Sequence, residues 1–460
     1  MSAHRTTTLE SGVRVISERV PGVRSVALGF WIGTGSAVER SDEAGISHLV
    51  EHMLFRGTDR YESEEIDQIF DEMGAEVNAG TDKEATSLYT RVLDRHLQRA
   101  FDVMSDMVWR PRFGELEAER EVVLEEIAMY EDDPQDRVFD LLGEAIFGEH
   151  PLGRPVIGTA AVIGAATTQQ LRGFHTARYL PRGVVIAAAG SVDHDELLAL
   201  ARGVEAPGAP LAADGKGSAN GALTRELRSS QPPEHAPPKL ARRVRFLEKD
   251  TEQYHVCIGG GGIAQDDDRR FALRVLEGVL GGTSSSRIFQ QVRERRGLAY
   301  SVFCFSNLYA QAGEVGLYLG TRAENLNEAL SVVASELERC VEDPADEREL
   351  IRSRENLKGR VVLSLESTAA RMSRLGASEL HGLPILSVDE VIERIDAVGI
   401  AELRELAGEL FALERLSVAG VGREMESFEA AIEPLGGTPG ADVKAYGGTG
   451  ERLTAQRTAR

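Results

Sequence analysis

Residues 87–108 read SLYTRVLDRHLQRAFDVMSDMV, and residues 316–337 read GLYLGTRAENLNEALSVVASEL. Laid on one another without gaps, they bring Leu88, Tyr89, Leu97, Ala100 and Val103 opposite Leu317, Tyr318, Leu326, Ala329 and Val332. Upstream, DEAGISHLVEHMLFRGT from Asp42 lies on DDRRFALRVLEGVLGGT from Asp267, so that Asp42, Leu54, Gly57 and Thr58 meet Asp267, Val279, Gly282 and Thr283. The chain therefore reads as one folding unit written twice. Within each copy, β-rich runs such as VRSVALGFWIG, TSLYTRVL and GVVIAAAGSV alternate with helical patterns such as LQRAFDVMSDMVWR. That mixture predicts an α+β fold: two homologous halves, each a largely antiparallel sheet packed with helices.

The length agrees, since 460 residues exceed what one ordinary core holds. The segment from Pro207 to Arg243, rich in Gly, Ala, Ser and Pro, has no apolar periodicity and reads as a flexible linker. The expected division is an N-terminal half at 1–206, the linker at 207–243, a C-terminal half at 244–435 and a flexible Gly-rich tail at 436–460.

A formal net charge of −22 argues against nucleic acid or an anionic membrane as the main partner. Cys257, Cys304 and Cys340 are widely spaced and odd in number, so neither a disulfide framework nor a thiolate zinc site is expected. The N-terminus lacks a signal-peptide core, and no run of 18 apolar residues occurs. A cytoplasmic protein is expected.

The repeat also isolates a difference. In the register above His48, Glu51 and His52 fall on Leu273, Leu276 and Glu277. The second copy keeps the helical pattern but lacks the polar cluster. On a helix these three residues share a face, two imidazoles flanking one carboxylate. Imidazoles at i and i+4 bind one Zn²⁺, with the carboxylate beside the open position to take a proton from an attacking water. The order H-x-x-E-H is that of the inverzincins, although a surface helix carrying histidines gives the same pattern. A third ligand must come from elsewhere. In ELEAEREVVLEEIAMYEDDP, Glu119 and Glu126 stand two helical turns apart on one face, and spacing alone does not choose between Glu125 and Glu126.

Together these segments resemble the pitrilysin/insulinase family of zinc metallopeptidases, nearest the mitochondrial processing peptidase β-subunit and its bacterial homologues. HLVEHMLFRGT is similar to the family's first motif, and EREVVLEEI to its second, whose last glutamate binds zinc. The resemblance thus implies one zinc per chain held by His48, His52 and Glu126, with Glu51 as general base and Glu119 supporting. NAGTDKEATSLY resembles the family's edge strand, whose backbone pairs with substrate at Asn78 and Ala79. GGTSSSRIFQQVRERRGLAYSV resembles its C-terminal signature, which implies that Arg293 and Tyr300 reach the active site from the second half. HPLGRPVIG from His150 and YLPRGVVIAAAGSVD from Tyr179 also fit, and the likeness runs from about residue 5 to 435.

What the resemblance implies is a zinc endopeptidase hydrolysing peptides or unfolded segments inside a clam-shell chamber, and a homodimer. The alternative is a catalytically silent scaffold or peptide-binding member of the same fold. Scaffolds lose part of the zinc motif, whereas this chain keeps it together with Arg293 and Tyr300, so no second type of subunit is required. His96, His175, His194, His235, His255 and His381 lack ligand-spaced partners and are expected to be structural or superficial, as is His150 in its loop. The run Gly259–Gly262 lacks the Lys-Ser/Thr of a phosphate loop.

Overall fold

In a computed structural model the chain is described at residues 4–204, 236–437 and 442–447. Among these residues no helix is long and apolar enough to cross a membrane. The described residues form twelve strands: β1 His4–Thr8, β2 Arg14–Arg19, β3 Ser25–Ile32, β4 Val77–Thr81, β5 Thr86–Leu93, β6 Val184–Gly190, β7 Arg243–Glu248, β8 Tyr254–Gly262, β9 Ala299–Leu308, β10 Gly313–Thr321, β11 Ser417–Gly422 and β12 Asp442–Tyr446. They form two six-stranded sheets, ordered β1-β2-β6-β3-β5-β4 and β12-β7-β11-β8-β10-β9. Antiparallel pairing dominates; β2 with β6, β7 with β11 and β12 with β7 are parallel. The expected α+β architecture of two like halves is present, and β3, β5 and β6 are the three runs read as strands.

Two compact units emerge, and they are not contiguous in sequence. The first comprises residues 1–127, 155–235 and 361–388, the second 128–154, 236–360 and 389–460. In the first, strand alternation sends Val26, Leu28, Phe30 and Ile32 of β3 into the main core. The opposite face of that sheet carries Ile16, Ala27, Val185, Ala187 and Ala189, which pack with Met372 and Leu375. Those two belong to the helix Thr368–Leu380, which comes from the far end of the sequence. The face is built of small residues because the helix lies close. A Cβ on Gly29 would sit 2.5 Å from Met372 Sδ, and one on Gly376 would sit 2.1 Å from Trp31 Nε1.

The second unit receives a helix in return, Pro134–Phe147, whose Phe139 stacks on Tyr318 at 5.6 Å between ring centroids. Here the expected tail needs correcting at residues 442–446, while residues 438–441 and 448–460 lie outside the described residues. Residues 442–446 form β12, parallel to β7, and the strand is fixed by the fully buried Arg245, which donates to the Asp442 carbonyl at 2.8 Å. Tyr446 donates its hydroxyl proton to Glu144. The strand escapes sequence reading because its five residues sit between glycine-rich stretches. Of the expected linker, residues 207–235 lie outside the described residues; 236–242 have no regular structure and Arg243 already opens β7.

Candidate metal centre

The helix Ile46–Met53 has eight residues, too few to persist alone in water. It is held by burial of Leu49, Val50 and Met53, each fully inside the core. Its start is fixed twice. The buried Glu39 carboxylate accepts the amide protons of Gly45 and Ser47 at 2.8 and 2.6 Å. Gly45 itself takes φ of 96°, where a Cβ would meet the Ile157 carbonyl at 2.6 Å. With Leu49, Val50 and Met53 facing the core, His48 and His52 turn to the other side of the helix.

There they meet the helix Leu116–Asp132. His48 Nε2 and His52 Nε2 lie 3.2 Å apart, and Glu126 Oε2 lies 3.7 and 3.5 Å from them. Zinc bonds of 2.0–2.1 Å at tetrahedral angles set donor separations of about 3.3 Å. The three atoms therefore sit where donors to one ion would sit, and the set of two imidazoles and one carboxylate suits zinc. Glu125, its neighbour on the same helix, is exposed, and it is the Glu126 carboxylate that stands beside both imidazoles. Among the described residues no other group of His, Cys, Asp and Glu converges in this way.

The two histidines are held differently. His52 Nδ1 is 2.7 Å from Glu119 Oε1, and Glu119 is buried to 4% exposure. That bond keeps the proton on Nδ1 and turns the Nε2 lone pair towards the cluster. Arg56 in turn donates to the other oxygen of Glu119. His48 Nδ1 is buried without a hydrogen bond among the described residues. Burial, with His52 adding to it, pushes the His48 pKa down to about 4, so at neutral pH the ring is neutral and one of its nitrogens offers a lone pair. Burial pulls His52 the same way, but the Glu119, Glu51 and Glu126 carboxylates outweigh it and leave His52 above its ordinary value. Glu119 stands below the carboxylate range, because His52 and Arg56 overcome the effect of burial.

Glu51 shares the helix and is 8% exposed. Burial raises its pKa; the Thr81 hydroxyl, which donates to Glu51 Oε2 at 2.8 Å, offsets part of that. Asn78 and Ala79 lie on β4, the outermost strand of the first sheet, paired with β5 alone. Arg293 and Tyr300 lie in the second unit, where the guanidinium stands over the Tyr300 ring at 4.6 Å and the Phe289 ring at 4.8 Å. Tyr300 is 77% exposed.

Two contacts around the cluster are not read from the sequence, Arg56 to Glu119 and Thr81 to Glu51. Arg56 could have been found, since 48, 52 and 56 continue one i, i+4 row. Thr81 follows Ala79 by two, the strand period that puts both on one face. Outside the centre, His175 is buried against the Val108 carbonyl at 2.8 Å and His194 bridges Ser17 and Thr7, both structural positions.

Comparison with known proteins bears on this geometry. Residues 14–160 match the family described as insulinase (peptidase family M16), and residues 165–357 match the one described as the peptidase M16 inactive domain. An uncharacterized zinc protease of Mycobacterium tuberculosis is 40% identical over 412 residues, covering 89% of this chain and 91% of the relative. The uncharacterized zinc protease YmxG of Bacillus subtilis is 40% identical over 419 residues, covering 90% and 98%. The crystal structure of a peptidase M16 inactive domain from Pseudomonas fluorescens superposes with a TM-score of 0.80 at 22% identity, covering 92% of this chain and 98% of that one, a likeness of fold.

Proposed function

Because the chain belongs to the insulinase family of peptidases, M16, we propose that it is a zinc-dependent endopeptidase acting on peptides and unfolded polypeptide segments. The observation that carries this reading is the donor triangle of 3.2, 3.5 and 3.7 Å beside a buried carboxylate. A silent scaffold has no use for a whole donor set with its supporting Glu119. We take the ion as one zinc per chain, held by His48, His52 and Glu126. Bound there, zinc supplies Lewis acidity, which makes water nucleophilic near neutral pH and polarises a carbonyl.

The chain's own groups do the rest. Glu51 accepts the attacking water's proton and returns it to the departing amine nitrogen. Burial raises its pKa, the direction that favours a carboxylate taking up a proton. An extended peptide adds to the open edge of β4 at Asn78 and Ala79, where backbone pairing binds with little demand on sequence. Tyr300 donates a hydrogen bond to the developing oxyanion and Arg293 holds the substrate backbone. An exposed tyrosine with its ring under a guanidinium has no packing duty, which favours that role. A homodimer working in the cytoplasm completes the reading.

The test is a mixed peptide library incubated with the purified full chain, with and without chelator, and read by mass spectrometry. New termini should arise in the untreated sample, vanish with chelator and return with added zinc. Absence of cleavage by zinc-loaded protein, or cleavage indifferent to chelator, overturns the proposal.

A further inference from the structure

Thr81 belongs to two parts of the first unit at once. It is the last residue of β4, the edge strand, and its hydroxyl gives its single proton to Glu51 Oε2 at 2.8 Å. Strand alternation brings this about: Val77, Ala79 and Thr81 are half-buried while Asn78 and Gly80 are exposed. The same face that packs Val77 and Ala79 on the core therefore delivers Thr81 to the helix Ile46–Met53. Its cross-strand partner Thr86, fully buried, cannot substitute as the donor, because Thr86 donates to the Thr34 carbonyl at 2.8 Å. Glu51 thus takes its orientation from the strand on which the peptide is to lie.

We propose that Thr81 is a positioning residue that couples the two: a peptide ordering β4 along its length fixes Thr81, and Thr81 aims the Glu51 carboxylate. The inference rests on the peptidase reading and adds to it a dependence of turnover on how far the substrate extends along β4. Binding energy from residues remote from the scissile bond is then realised in kcat instead of in KM alone.

The experiment uses full-length, zinc-loaded protein with a peptide series of increasing length, and the variants Thr81→Val, which keeps the shape, and Thr81→Ser, which keeps the hydroxyl. A lost hydrogen bond to a charged group predicts a fall in kcat of about tenfold or more for Thr81→Val. KM and zinc content should stay within about twofold, and Thr81→Ser should recover most of the loss. In wild type kcat should rise with peptide length, and in Thr81→Val that rise should disappear. In a Glu51→Gln background Thr81→Val should add almost nothing, since it acts through Glu51. Should the valine variant fail to fold, Thr81→Ala carries the same comparison. Unchanged kcat in Thr81→Val, a full additional loss on top of Glu51→Gln, or a wild-type kcat indifferent to length overturns the coupling while leaving the peptidase intact. A wild type that cleaves no peptide overturns both.

Discussion

In the first sheet β1 lies antiparallel outside β2, and in the second β12 lies parallel outside β7; inward from there the orders β2-β6-β3-β5-β4 and β7-β11-β8-β10-β9 correspond strand for strand. The helix that follows the third strand of each set, Ile46–Met53 in one half and Arg270–Leu280 in the other, presents different chemistry. Where the first half has His48 and Glu51, the second has Leu273 and Leu276, both fully buried. Glu277, at the place of His52, is paired through one oxygen with Arg274 of its own helix at 3.1 Å. Further along, the helix Leu116–Asp132 carries Glu119 and Glu126 in the first half, whereas in the second half the buried polar residue of the helix Glu347–Ser364 is Ser353, tied to the Val275 carbonyl at 2.7 Å. The same scaffold therefore closes without a polar cluster. In the first half five titratable groups, His48, Glu51, His52, Glu119 and Glu126, are gathered at a desolvation cost that the fold does not require, and such groups mark functional sites.

The strongest test gives the first half the second half's residues. In His48→Leu/Glu51→Leu a ligand and the base are lost together, so zinc retention and peptide cleavage should both fall to background. The metal-free double variant should unfold no earlier than metal-free wild type, because replacing buried polar groups with apolar ones is often neutral or stabilising by about 1–4 kcal/mol. Metal analysis and thermal unfolding of both apoproteins check this. A variant much less stable than wild type would mean that the cluster holds the fold together, and the contrast between the halves would lose its functional meaning.

Next in size is the contribution expected from the second half. If that half lost the metal site but kept a part in the chemistry, the part is Tyr300. Tyr300→Phe should lower turnover by about 10²-fold, the effect of removing one oxyanion donor, with zinc content unchanged. Turnover within about threefold of wild type would reduce the second half to a wall.

Some of this was legible from residues alone. The duplication, the sheet-and-helix class and the pairing of His48 with His52 follow from periodicity, because burial of a repeated apolar face leaves a repeated pattern. The choice of Glu126 over Glu125 did not, since both lie in one acidic run and only packing of Val123 and Ile127 decides which carboxylate turns inward. Also invisible was the exchange of helices. Nothing in Thr368–Leu380 says that Met372 and Leu375 cover Ile16 and Ala187, 180 or more positions away, because apolar residues carry no address. The charges do carry one. On the corresponding strands β2 and β7, Glu18 pairs with Arg371 and Arg245 with Glu144, so each donated helix sets a charge opposite one on the strand that it covers.

That exchange predicts a moderate effect on stability. Met372→Ala should cost about 2–5 kcal/mol, as large-to-small changes in a close-packed site do, measured by urea unfolding of the full chain. Residues 1–206 expressed alone lack the helix that covers Ile16, Ala27 and Val185, and should be recovered as aggregate or as weakly folded protein. A soluble, cooperatively folding fragment would show that the first sheet closes without its exchanged helix.

The smallest effect expected lies in how the first half tunes its metal affinity. The second half's Glu277 finds its cation on its own helix, whereas Glu119 is shared between His52 and Arg56. In the metal-free protein His52 is raised above its ordinary value, burial being outweighed by Glu119, Glu51 and Glu126, so zinc must displace a proton from it. Affinity is then full above that raised pKa and falls as pH drops through it; His48, at about 4, adds no further loss between pH 8 and pH 5. Arg56→Gln removes a positive charge next to the Glu119–His52 pair. Without it His52 holds its proton more tightly, and the fall in zinc affinity should begin at higher pH. Partners that orient metal-binding histidines are worth roughly 10–100-fold in affinity, and Arg56 acts one bond further away, so the loss should be about tenfold or less. It should be larger at pH 6 than at pH 8. Competition with a chromophoric chelator at the two pH values measures it. Equal losses at both would show that Arg56 merely places Glu119 and has no hold on the proton that zinc displaces.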